Sequence, residues 1–138
     1  MVILAVDYGD ARTGLSVCDR GELLASPAGM IAESYEPKVI AAVAEKAAAL
    51  GAEKIVVGLP RNMDGSFGAR AEKCAAFASA LEEATGLPCE TFDERLTTVA
   101  AHRALNEVNV RGKRRKQVVD TVAAVMILED YLRSNKRK

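Results

Sequence analysis

The sequence predicts an α/β fold: a mixed five-stranded sheet of three antiparallel N-terminal strands plus two parallel ones, flanked by helices. Three observations lead there. Residues 2–26 hold three strand-like segments joined by turns too short for anything but antiparallel neighbours. Two later apolar segments, 53–60 and 88–92, each follow a helical period, the crossover that parallel strands require. No repeat, low-complexity tract or linker divides residues 1–138, so one domain is expected.

The elements follow in order. "VILAVD" (2–7) reads as a buried strand, "TGLSVCD" (13–19) as a second and "ELLAS" (22–26) as a shorter third. Ser34 and Pro37 open a helix whose Ile40, Val43, Ala44, Ala47 and Leu50 share one face, and Gly51 stops it. "EKIVVGLP" (53–60) is a buried strand. The polar loop "RNMDGSFG" (61–68) follows it, with Asp64 or Ser66 as candidate helix cap. Ala71, Cys74, Ala75, Ala78 and Leu81 carry a helical period as far as Gly86. "PCETF" (88–92) reads as a third core-type strand running into Asp93 and Glu94. Thr97 or Thr98 is placed to cap a short helix through Leu105, and a last helix spans roughly 117–132.

Composition narrows the function classes. No apolar run approaches the ~20 residues of a membrane span, and no basic region precedes the first strand as in a signal peptide. A cytoplasmic protein with no membrane partner is expected. Three cysteines and one histidine, without metal-ligand spacing, argue against zinc and disulfide frameworks; the cysteines read as small packing residues. His102 has no partner for Ser/His/Asp or Cys/His chemistry and reads as a surface residue. The net charge is zero, but residues 111–138 hold nine of nineteen Lys and Arg against three acids. The tail therefore carries +6 and the remainder −6. Such asymmetry points to nucleic acid as the partner of the basic surface.

Three placements of acids stand out. Asp7 ends the first strand, Asp93 and Glu94 end a later one, and Asp120 falls near the start of the last helix. Ligands of α/β sheets collect at strand carboxyl ends. Asp7 alone is equally readable as a turn starter, and the other acids as residues favouring helix starts. Asp120, however, shares its helical row with Ala123, Ala124 and Ile127, where an unpaired carboxylate is costly. Carboxylates ~4 Å apart repel by about 1 to 4 kcal/mol. A divalent cation relieves that repulsion, and an all-oxygen donor set suits Mg²⁺ or Mn²⁺. Asp93 and Glu94 point to opposite faces if the strand persists, and periodicity does not choose between them.

The loop between Arg61 and Arg70 joins a strand to a helix through glycines, a pattern that can cradle phosphate. "RGKRRK" (111–116) sets five cations in six residues just ahead of the last helix. It reads either as a solvated loop or as a backbone-phosphate contact. Candidate nucleic-acid contacts are Arg12, Arg61, Arg70, Arg95, Lys113, Arg114, Arg115 and Lys116.

Four motifs, in order, resemble the YqgF/RuvX family of bacteria, described as pre-16S rRNA nucleases or Holliday-junction-resolvase-like proteins. They are "DYGDARTG" (7–14), "VVGLPRNMDGSFGARA" (56–71), "DERLTTVAAHRAL" (93–105) and "KQVVDTVAAVMILEDYL" (116–132). The resemblance covers essentially the whole chain. It implies an RNase H-like fold and a metal-dependent nuclease trimming the 5′ end of 16S rRNA. It also implies Asp7, Glu94 and Asp120 as catalytic and metal-binding acids, with Asp93 a substitute or helper. Pre-16S rRNA is then the favoured partner, with a ribosomal precursor particle or branched DNA as others, for a monomer or homodimer. Three rivals remain: a Holliday junction resolvase-like DNA endonuclease, a non-catalytic RNA- or ribosome-binding module, and one lobe of an actin-like ATPase or sugar kinase.

Overall fold

The computed structural model describes residues 1–60, 68–93 and 113–136, except for the side chains of 113–121, 135 and 136. Strands β1 (Ile3–Asp7), β2 (Thr13–Cys18) and β3 (Ala25–Ile31) come first. Helix α1 (Glu36–Leu50), β4 (Lys54–Leu59), α2 (Ala69–Thr85), β5 (Cys89–Asp93) and α3 (Lys113–Lys136) follow. The sheet order is β3-β2-β1-β4-β5. The β1–β2 and β2–β3 pairs are antiparallel; the β1–β4 and β4–β5 pairs are parallel. The mixed five-stranded sheet expected from the sequence is the one observed.

β1 lies at the centre, which is why all five of its residues are buried and its sequence is apolar until Asp7. Alternation sends Leu4 and Val6 to one face, where they meet Val39, Val43 and Ala47 of α1 and Phe77 and Leu81 of α2. Ile3 and Ala5 go to the other face with Val56, against Ala123, Ala124, Ile127, Leu128 and Tyr131 of α3. Gly51 and Gly86, both left-handed, end α1 and α2 as the sequence suggests.

Four expectations need correction. The third strand does not include Leu23 and Leu24. The Asp19 carboxylate accepts both their backbone N–H groups, at 2.8 and 3.2 Å, and closes a turn that leaves their side chains exposed. The strand begins at Ala25 and carries Pro27, which an outer strand tolerates. β5 is likewise an edge strand with two exposed residues, not a core-type one. The N-cap of α2 is Gly68, without a side-chain cap, rather than Asp64 or Ser66. The last helix starts at Lys113, so Lys113 to Lys116 form its first turn instead of a loop ahead of it. Lys and Arg are good helix formers, and that propensity prevails over their unfavourable place at a helix start. The expected helix before Leu105, and His102 with it, lie outside the described residues.

Polar contacts at two levels fix α3 on the sheet. Ser16 Oγ donates to the Ala124 carbonyl at 2.7 Å. Toward the other end of the helix, Lys54 Nζ donates to Tyr131 Oη at 2.6 Å, and Tyr131 Oη donates to Glu90 at 2.5 Å. Lys54 also pairs with Glu90 at 2.9 Å. Burial pulls the Lys54 ammonium down, but the hydrogen bonds from Tyr131 and Glu90 outweigh it and hold Lys54 above its ordinary value. The three cysteines are free thiols; Cys18 and Cys74 are buried, and burial with the Glu82 charge pushes Cys89 up to about 11.

Candidate active site at the carboxyl end of the central strand

Asp7 is the last residue of β1 and only 8% exposed, an unusual burial for a carboxylate. It continues the row of Ile3 and Ala5 and so belongs to the face that α3 covers. Its antiparallel partner is Gly14. On the parallel side the pair Val6–Val57 puts Gly58 next in line beside Asp7. Both flanking positions on this face are therefore glycine and bring no side chain of their own to the carboxylate.

Asp93 pairs with Leu59, in the same register that pairs Thr91 with Val57 and Cys89 with Ile55. Leu59, Val57 and Ile55 all pack toward α1 and α2. Asp93 thus belongs to the opposite face from Asp7, while Phe92 shares the α3 face. The register separates Asp93 from Asp7. Glu94, Arg61 and Arg95 lie outside the described residues.

Position 120 is helical, in the first half of α3. Ser16, which holds Ala124, pairs with Ala5, while Tyr131 lies over Lys54, the partner of Ile3. The helix therefore runs antiparallel to β1, and its N-terminal half extends toward the Asp7 end. Four helical residues from 124 back to 120 rise ~6 Å, and two strand residues from Ala5 to Asp7 advance ~6.6 Å. The backbone at 120 is thereby level with Asp7. Among the described residues no three acids, histidines or cysteines gather into a metal-sized group. Asp7 offers carboxylate oxygens, the donor type that suits a hard cation such as Mg²⁺ or Mn²⁺.

The turn after Asp7 is built tightly. A Cβ on Gly9 would stand 2.1 Å from the Arg12 carbonyl oxygen, so only glycine fits. Gly9→Ala is expected to displace the turn and to destabilise the fold by about 1 to 3 kcal/mol, the range for a substitution that clashes with backbone. Urea denaturation checks this; wild-type stability would show that the turn accommodates a Cβ.

Arg70, expected to contact nucleic acid, reaches this turn. Its guanidinium donates to Asp10 at 2.5 Å and to the Tyr8 carbonyl. Lys73, which sequence reasoning passed over, contacts the same Asp10 oxygen at 3.1 Å. The Tyr8 ring stacks on Phe77 with centroids 3.9 Å apart and planes 5° apart. Burial, followed by the Glu36 charge, raises the Tyr8 hydroxyl pKa. Arg12, in the same turn, is half-buried.

A five-stranded mixed sheet with an acid at the end of its central strand and a long helix across that strand defines an α/β fold of the RNase H-like class. RuvC of Thermus thermophilus superposes with a TM-score of 0.57 at 16% identity, covering 98% of this chain and 97% of RuvC. The fowlpox virus Holliday junction resolvase superposes at 0.55 with 13% identity, over 97% of this chain and 99% of that one. The chain belongs to the RuvX family, whose model, described as Holliday junction resolvase, matches residues 1–134. A relative from Pelotomaculum thermopropionicum named "Putative pre-16S rRNA nuclease" is 43% identical, over 99% of this chain and 90% of its own. One of the same name from Moorella thermoacetica is 44% identical, over 96% of this chain and 94% of its own.

Proposed function

We propose that this chain is a divalent-metal-dependent nuclease that hydrolyses phosphodiester bonds and trims the 5′ end of pre-16S rRNA in the cytoplasm. The observation that carries the reading is the buried Asp7 at the central strand end, flanked by Gly14 and Gly58, with α3 bringing position 120 level with it. The name borne by relatives above 40% identity supports the rRNA substrate. Among the described residues no helix is long and apolar enough to cross a membrane.

Asp7, Glu94 and Asp120 would hold one or two Mg²⁺ or Mn²⁺ ions. The opposite facing of Asp93 supports Glu94 as the strand-end acid. When bound, such ions lower the pKa of an attacking water and neutralise charge on the leaving oxygen. The chain's own residues supply the rest. Gly14 and Gly58, beside Asp7 on the neighbouring strands, add no side chain of their own to the approach of a phosphate. Arg12, Arg61, Arg70, Arg95 and the basic first turn of α3 hold the backbone in register without reading sequence.

The family description favours a second reading, cleavage of four-way DNA junctions. A cleavage assay separates the two, comparing pre-16S precursor RNA with a four-way junction in Mn²⁺ and in chelator. Metal-dependent trimming of the RNA is expected. Junction cleavage alone would transfer the activity to DNA. Binding of RNA without cleavage in any metal would replace the nuclease by a binding module.

A further inference from the structure

The turn beyond Asp7 carries a charge cluster that the acids do not account for. Arg70 and Lys73, one turn apart on α2, converge on a single oxygen of Asp10, at 2.5 and 3.1 Å. Both also lie over the Tyr8 ring, 5.8 and 5.6 Å from its centroid. The ring is itself backed by Phe77. Two cations are therefore held side by side on a rigid aromatic plate, with the Asp10 carboxylate between them. Asp10 is 78% exposed, against 35% and 46% for Arg70 and Lys73. Ion pairs this open to water hold weakly and exchange readily. Lys73's hydrogen bond and the Arg70 charge keep the Asp10 carboxyl below its usual range, so it stays an anion.

We propose that Arg70 and Lys73 form a phosphate subsite for the nucleic-acid backbone, and that Asp10 fills it in the free protein in place of a phosphate. The inference rests on the nucleic-acid reading above and deepens it. A phosphodiester offers two non-ester oxygens, one for the Arg70 Nη1 that now serves Asp10 and one for Lys73 Nζ. The second Arg70 nitrogen keeps its bond to the Tyr8 carbonyl and stays anchored throughout. Asp10 swings into water, to which it is already open. Three residues of chain span at most ~11 Å, so this subsite takes a phosphate close to the one at Asp7 on the same strand. A clamp serving the turn alone would gain little from a second cation on one exposed oxygen.

The test is fluorescence anisotropy with a labelled single-stranded RNA spanning the mature 5′ end of 16S rRNA. Binding is measured in chelator, so that nothing is cut, across a salt series. Asp10→Asn is expected to bind about two- to fivefold more tightly, the range of one exposed ion pair. Lys73→Gln is expected to bind about two- to fivefold more weakly and to flatten the salt slope by ~0.7. Unchanged affinity and slope in Lys73→Gln, or weaker binding by an Asp10→Asn protein that melts like wild type, overturns the subsite. Should Asp10→Asn melt early, Lys73→Gln decides alone, since its side chain lies at the surface of α2. A wild type that neither binds nor cleaves RNA would fail the functional reading itself. A wild type that cleaves while Lys73→Gln binds normally would fail only the subsite.

Discussion

Asp7→Asn should abolish cleavage in Mg²⁺ or Mn²⁺, by ~10³-fold or more, equivalent to about 4 kcal/mol of lost transition-state stabilisation. The substitution preserves shape and polarity but removes the charge that would hold a cation. The melting temperature should therefore stay close to that of wild type. Single-turnover cleavage beside a calorimetric scan reads both quantities. Full activity would remove Asp7 from the chemistry. An early melt with normal activity per folded molecule would make it a structural residue at the strand end.

Phe77→Ala has the largest expected effect on stability, a loss of about 3 to 5 kcal/mol for a fully buried ring. The broken stack with Tyr8 adds ~0.5 to 1.5 kcal/mol. Domains of this size are stable by only ~5 to 15 kcal/mol, so the variant stands near the edge of folding. Urea denaturation should show a lower midpoint with an unchanged slope. A loss under ~1 kcal/mol would mean that the cavity collapses around Tyr8. Cleavage per folded molecule should fall as well, because Tyr8 follows Asp7 directly and loses its backing.

The sheet and its helices were largely legible because periodicity carried them. β1 and β4 read as unbroken apolar runs, and Gly51 and Gly86 marked helix ends through the one backbone conformation that glycine adopts freely. The errors fell where a local contact overrode pattern. Asp19 captured Leu23 and Leu24 into a turn although both looked like strand residues. Edge and centre are set by sheet order, which a single strand's sequence does not carry, so β5 read as core. At the site, Asp7 was visible as a charge ending an apolar run. The face of Asp93 was not, because it depends on its register with Leu59. Lys73 escaped notice because on α2 it is one more charged helical residue; only the fold brings it to Asp10. A sequence signal for it does exist, in its i, i+3 spacing from Arg70.

The Ser16 hydroxyl, bonded to a carbonyl in the middle of α3, works like an index mark on a dial. A slip of one residue turns a helix by ~100° and shifts it by ~1.5 Å, which would move the backbone at position 120 off its level with Asp7. Hydrophobic attraction is non-directional and tolerant of small shifts along a helix. A hydroxyl meeting one particular carbonyl is not. The level of the α3 backbone against the end of β1 then depends on a residue outside the proposed set of acids. Variation at that serine would be felt in catalysis before it was felt in folding.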